Sequence, residues 1–287
     1  MEKGQNYCTV TIIGGLGNKL FRIATLLATS WRTQRTPVLL SVLVEINHQT
    51  TVPYDYFCRN ILKLKNVENV PPVTLIQESE NLYIDIREAV RNAQSSLVVL
   101  DGYFQSEKYF MDYAPYIHHQ FHCPLEKRLE FWNRFPLIQE SVFFHVRRGD
   151  YVNHEHHFVD LTTYYHRCIQ RCKKETENLS LFVFSDDPVY CQENLWRLIG
   201  VESEEERSKI NVHIVEKMDE VESLWLMSCC GQGGICSNSS FSWWGGWLCR
   251  HWYGDKATIY YPTQQFALPE IKTPDLVSSQ FVPCSVI

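Results

Sequence analysis

The sequence has no apolar run approaching the roughly 20 residues that a membrane-spanning helix needs. Its opening residues, Met1 to Tyr7, lack the apolar core of a signal peptide. As written, the chain is therefore expected to be soluble and cytoplasmic, with no membrane span. Positive charge is not in excess. Against 33 Asp and Glu stand 27 Lys and Arg, a formal net charge of −6. That argues against a broad nucleic-acid surface and requires any anion to be gripped locally. None of the 11 cysteines sits in a Cys-x-x-Cys pair, so the thiols are expected to be mostly buried and free. Asp-x-Asp is also missing, which leaves a metal-bridged diphosphate without an evident ligand set and makes arginine the better candidate to neutralise one. No metal ion and no organic cofactor is expected.

What the chain does have is Ser141-Val-Phe-Phe-His-Val-Arg-Arg-Gly-Asp-Tyr151. Val142, Phe143, Phe144 and Val146 have the character of a buried strand, and they run directly into Arg147, Arg148 and Asp150. In open α/β sheets ligands bind where strands end, and adjacent guanidiniums there suit a diphosphate. A surface ion-pair cluster is the alternative reading.

Near the start, residues 8–13 form a β-rich run, followed by Gly14-Gly-Leu-Gly-Asn18. Apolar residues at helical spacing then reach about Arg35, and a further apolar run covers 38–44. The glycine turn has Gly15-x-Gly17 but Leu20 in place of a third glycine, and no Gly-Lys-Ser/Thr ending follows. Either it is a structural turn or it offers the free amides of a helix start to an anion, with Gly15 and Gly17 as donor contacts. Between Asn47 and Val142 prolines interrupt the pattern, and 97–100 is the one further strand expected there. The segment after it, 101–110, mixes aromatics with hydrogen-bonding groups, as a sugar site or a packing segment would. His118, His119 and His122 lack a completing carboxylate and read as ordinary core or surface residues.

The second half alternates regularly. Strands are expected at 142–146, 181–184, 211–215, 234–236 and 258–261, with helices at 162–173, 189–198, 220–227 and about 241–251. Asp219 is placed as an N-cap with Glu222 as its capping-box partner. This alternation indicates a doubly wound parallel sheet with right-handed crossovers. Three polar clusters fall at strand ends: His145 to Asp150, Ser185 to Asp187, and Ser237 to Ser240. Hydroxyls and amides at Asn238, Ser239 and Ser240 suit a phosphate oxygen. Asp186 and Asp187 suit a guanine edge or ribose hydroxyls, with a helix N-cap as the alternative for Asp187. Together the clusters describe a nucleotide-diphosphate site.

His145-Val-Arg-Arg-Gly-Asp-Tyr151, Phe184-Ser-Asp-Asp-Pro188 and Ser237-Asn-Ser-Ser-Phe-Ser-Trp-Trp-Gly-Gly-Trp-Leu248 closely resemble, in order, motifs of the α-1,2-fucosyltransferase family. Gly14 to Asn18 and Gly102 to Phe110 are similar to its N-terminal and middle motifs. The resemblance spans residues 10–262. Lys19, Arg22 and Ile23 depart from it, where glutamine, glutamine and tyrosine are expected.

The resemblance implies a GT-B-like α/β fold of two Rossmann-type lobes, an N-terminal acceptor-side lobe at 1–140 and a C-terminal donor lobe at 141–287. It implies an inverting, metal-independent transfer of L-fucose from GDP-fucose to the 2-hydroxyl of a galactose-containing acceptor. Arg147 would stabilise the departing GDP, with Arg148 beside it, while His145 and Asp186 or Asp187 hold guanine or ribose. For the base, Glu155, Asp150 and Asn18 are the candidates. The alternative is that Asp150 locks an arginine and Glu155 is merely solvated. Transfer of another sugar from a GDP donor and non-catalytic sugar binding are the other functional readings. The sequons at Asn178 and Asn238 are read as unmodified.

Overall fold

The computed structural model describes residues 5–43, 62–64, 72–78, 82–268, 270–271 and 273–287. Val44, the last residue of the second expected strand, and Cys58 lie outside them. The chain forms two compact units, Met1–Phe121 with Thr273–Leu276, and His122–Lys272 with Val277–Ile287.

The first unit contains β1 (Tyr7–Val10), α1 (Leu16–Thr33), β2 (Thr36–Leu40), β3 (Leu62–Leu64), β4 (Val73–Gln77), α2 (Arg87–Asn92), β5 (Leu97–Asp101) and α3 (Ala114–Phe121). Its strands are parallel in the order β3-β2-β1-β5-β4. β1 is buried throughout, and α1 buries nearly its whole length between the glycine turn and Ser30. The left-handed position in that turn is Gly14, with φ of +81°. Gly15 is the extended N-cap of α1 and Gly17 sits inside its first turn.

The second unit contains α4 (Leu125–Arg134), β6 (Ser141–Val146), α5 (Thr162–Glu175), β7 (Leu179–Ser185), α6 (Pro188–Ile199), α7 (Glu204–Arg207), β8 (Ile210–Ile214), α8 (Glu220–Met227), β9 (Gly233–Ile235), α9 (Ser240–Tyr253), β10 (Thr258–Pro262) and β11 (Val282–Cys284). All neighbours are parallel in the order β11-β10-β9-β6-β7-β8, the doubly wound sheet expected. The units divide after Phe121, ahead of the 140/141 division read from the sequence. The reason is α4. Its Arg128 is fully buried, donates to the Ser228 carbonyl and hydroxyl at 3.2 Å each, and lies 3.9 Å over the Trp252 ring.

Helix starts follow local chemistry. Asp187 caps α6 by accepting from Tyr190 N–H at 3.0 Å, with Pro188 at the first helical position and Gly200 closing the helix in the left-handed region. Asp219 caps α8 through Glu222 N–H at 2.8 Å. In α9 the Trp-Trp-Gly-Gly-Trp run divides its labour. Trp243, Trp244 and Trp247 are fully buried, and Trp244 packs edge-on against both others at 5.1 and 5.2 Å. A Cβ on Gly245 would meet the Met227 sulfur at 2.6 Å, and one on Gly246 would meet Ile259 at 2.7 Å. The glycines bring α9 close to α8 and β10, and each buried indole then contributes on the order of 2–3 kcal/mol.

Candidate active site

The three polar clusters of the second unit lie side by side, because β9, β6 and β7 are neighbouring strands. Register fixes the central pair. Val146 of β6 stands opposite Ser185 of β7, so Arg147 and Asp186 leave the sheet opposite each other. Asp186 Oδ2 lies 2.9 Å from Arg147 Nη1, and its Oδ1 accepts from the Arg148 backbone N–H at 2.8 Å. Arg147 Nη2 donates to Asp150. The Arg147 guanidinium lies 5.1 Å from the centre of the Tyr151 ring. Between these partners Gly149 has φ of +22°, and a Cβ there would come within 2.4 Å of Asp186 Oδ2. The arginine loop is thus folded around the Asp186 carboxylate.

Arg148 takes a separate path. Its guanidinium stacks 3.6 Å from the centre of the Tyr190 ring and pairs with Asp187 at 3.7 Å. Asp187 is both a helix cap, the alternative the sequence offered for it, and a partner of Arg148.

His145 is buried at the end of β6. Burial first, and the Arg147 charge second, push its pKa down to about 3, so the ring is neutral at ordinary pH. Its Nδ1 lies 2.8 Å from Ser237 Oγ, and its carbonyl accepts from Tyr165 O–H at 3.0 Å. Ser237 is fully buried, Ser239 caps α9 by accepting from Phe241 N–H at 3.3 Å, and Ser240 opens the helix. Asn238 donates to the carbonyls of His157 and Gln265, both at 3.0 Å. Its amide therefore clasps two loops together. The start of α9 concentrates helix-terminal N–H groups beside the arginine loop, a setting that favours an anion.

A cavity of about 220 Å3 opens at this edge, lined among others by Arg147, Arg148, Tyr151, His157, Tyr165 and Tyr190. Tyr165, Tyr190 and Gln265 are functional neighbours that the sequence reading did not single out. Tyr190 carried a usable signal, three positions after the capping Asp187, where a helix residue faces back toward its own N-terminus.

The base candidates fall in different places. Glu155 is 86% exposed and pairs with His156 at 3.3 Å. Asp150 is held by Arg147, as the locking alternative described. Asn18 lies in the first unit, where its Oδ1 accepts from Gln105 Nε2 at 2.7 Å. Gly15 and Gly17 belong to that unit as well. Nearby, the buried Arg22 donates to the Thr11 carbonyl at 2.7 Å and lies 4.7 Å from the Tyr103 ring centre. Among the described residues no helix is long and apolar enough to cross a membrane.

Residues 1–267 match the model of the family described as glycosyl transferase family 11. The chain belongs to this family. The family 11 chain is 30% identical over 199 residues to an Escherichia coli protein named alpha-1,2-colitosyltransferase, covering 67% of this chain and 64% of the relative. It thus spans slightly less than two thirds of that relative's length. Among solved structures it is similar to NodZ alpha-1,6-fucosyltransferase soaked with GDP-fucose (TM-score 0.51, 13% identity, 85% of this chain and 93% of the other). It is also similar to POFUT1 in complex with GDP-fucose (TM-score 0.53, 12% identity, 89% and 97%). At these identities the likeness bears on the fold, and the family 11 chain is α/β with the GT-B-like class expected.

Proposed function

We propose that this chain is a glycosyltransferase that moves L-fucose from GDP-fucose to the 2-hydroxyl of a β-galactoside, with inversion and without a metal ion. The observation that carries the reading is the juxtaposition of Arg147 with the serine-rich start of α9 on neighbouring strands. A diphosphate needs just such a set of guanidinium, hydroxyl and amide donors at one sheet edge.

In this mechanism Arg147 meets the β-phosphate and its charge offsets the negative charge that grows as GDP departs. Asp186 aims the guanidinium, and Asp150 braces it from the other side. Arg148, kept in plane by Tyr190, supports the second phosphate. Asn238, Ser239 and Ser240 complete the cradle, and neutral His145 offers its remaining ring nitrogen to the guanine or ribose. Glu155 receives the acceptor proton. Its exposed carboxylate is open to an incoming sugar, whereas Asp150 is committed to Arg147 and the amide of Asn18 is a poor base. The lobes assigned from sequence divide the work, acceptor side first and donor side second.

A second reading is favoured by one finding. One relative is named alpha-1,2-colitosyltransferase, so transfer of another sugar from its GDP donor is the alternative. The deciding experiment measures GDP release and product linkage with GDP-fucose, a panel of β-galactosides and EDTA. Acceptor-dependent GDP release with an α-1,2 product supports the fucose reading. Release from another GDP-sugar alone would transfer the proposal to that donor, and activity that needs zinc or another divalent ion would overturn metal independence.

A further inference from the structure

In the aromatic segment that follows β5, most rings turn inward. Phe104, Tyr109 and Phe110 are buried, as a packing segment requires. Tyr103 is 43% exposed, and the Arg22 guanidinium lies over its ring, 4.7 Å from the centre. Arg22 is itself buried, so it backs the ring from the protein side. Phe104 makes the split between inside and outside. It takes φ of +53°, which a bulky residue rarely adopts, and its N–H is held by Glu78 Oε2 at 2.7 Å.

Polar groups gather around this ring. β1, β5 and β4 are neighbours in the first sheet and end in register. Thr11, just past β1, accepts from Arg22 Nη1 at 2.5 Å and donates to Asp101 Oδ1 at 3.2 Å, while Asp101 Oδ2 accepts from Gln77 at 3.2 Å. Gln105 Nε2 donates to Asn18 Oδ1 at 2.7 Å. Asn18 and Arg22 are one turn apart on α1, so residues 103–105 lie along a single helix face, the ring over Arg22 and the amide over Asn18. Asp101 and Gln105 are only partly buried, and each Asp101 oxygen has a further lone pair for a hydroxyl.

In open α/β folds this edge of the sheet is where ligands bind. An exposed ring fixed from behind, with a carboxylate and an amide two residues to either side of it, suits a pyranose, which offers C–H groups to the ring and hydroxyls to the polar atoms. We propose that Tyr103, Asp101 and Gln105 form a sugar subsite of the first unit that takes the galactosyl residue of the acceptor. The assignment of that sugar rests on the reading of the chain as a galactoside-directed transferase. Galactose suits the ring because its axial 4-hydroxyl clears the opposite sugar face, where C–H groups then lie side by side. Its remaining hydroxyls are left for Asp101 and Gln105.

The test nitrates the tyrosines of the purified full chain with tetranitromethane, with and without methyl β-galactopyranoside, and maps the products by mass spectrometry. The galactoside should lower nitration of Tyr103 several-fold and leave the more exposed Tyr116 unchanged. Methyl β-glucopyranoside, whose 4-hydroxyl is equatorial, should protect less. In acceptor kinetics Tyr103→Ala should raise the acceptor KM about tenfold with little change in donor KM. Tyr103→Phe should restore it, because the ring rather than its hydroxyl makes the contact. Equal nitration of Tyr103 with and without galactoside would overturn the subsite, as would a wild-type acceptor KM in Tyr103→Ala. Protection of Tyr103 without any transfer from GDP-fucose would support the subsite and count against the donor reading. Transfer with Tyr103 unprotected would do the reverse.

Discussion

Asp186 holds Arg147 across the ends of two neighbouring strands, Oδ2 to Nη1 at 2.9 Å, while its other oxygen holds the next backbone N–H at 2.8 Å. A carboxylate that grips both a guanidinium and the peptide following it fixes where the charge points. Arg147→Ala should lower kcat by about 10²–10³, the cost of one well-placed charge partner. Arg147→Lys should recover little of this, because an ammonium lacks the planar fork. Asp186→Asn should lower kcat by about 10- to 100-fold with a smaller change in donor KM, as expected for misaimed charge. Steady-state kinetics on the three variants checks this, and near-normal turnover in Arg147→Ala would remove the residue from its role.

Gly149 offers an independent handle on the same loop. A methyl group there meets Asp186 Oδ2 at 2.4 Å, so Gly149→Ala must displace the carboxylate or the turn. Activity should fall by about tenfold or more. The double variant with Asp186→Asn should be little worse than either single one, because both break one arrangement. Additive losses in a double-mutant cycle would show that the glycine acts elsewhere.

His145 predicts a direction for acid sensitivity. Burial keeps its ring neutral in the folded chain down to about pH 3, whereas the unfolded chain binds the proton near pH 6.5. The unfolded state therefore holds more protons in between, and stability present above that range is lost as pH falls from about 6.5 toward 3. Wild type should lose up to about 1.4 kcal/mol per pH unit more than His145→Gln across that window. Urea unfolding at pH 7.5, 6 and 5 measures the difference. His157 and His213, whose pKa values burial also lowers, contribute equally to both proteins and cancel.

Asn238 joins two loops through one amide. Asn238→Ala leaves two carbonyls without their donor and should cost about 1–3 kcal/mol. Asn238→Asp should cost more, since it sets a carboxylate against those same carbonyls. Unfolding curves give the magnitudes, and faster proteolysis between Val152 and Phe158 would locate the loosening.

The second unit was legible because its pattern is local. Each strand from β6 to β10 is a short apolar run closed by polar or turn residues, and Asp187, Asp219 and Gly200 mark helix ends where they stand. β4 was not read. Its residues alternate between exposed and half-buried, with only Ile76 fully covered, so neither period nor hydrophobicity announces a strand. α4 escaped because a buried arginine, rather than an apolar stripe, ties it to the second unit. At the site, residue types were visible but partners were not. Nothing in Ser-Asp-Asp-Pro says that the first aspartate turns toward one arginine while the second, besides capping a helix, pairs with the next. That follows from the pairing of Val146 with Ser185, a relation between positions 39 apart.

The glycine-spaced tryptophans of α9 also give the molecule an optical asymmetry. Of its 8 tryptophans, Trp31 alone falls within the first unit, while the rest belong to the second. Tryptophan fluorescence will therefore report almost entirely on the half that carries the arginine loop. A chain whose first half had come apart would still look native to that probe.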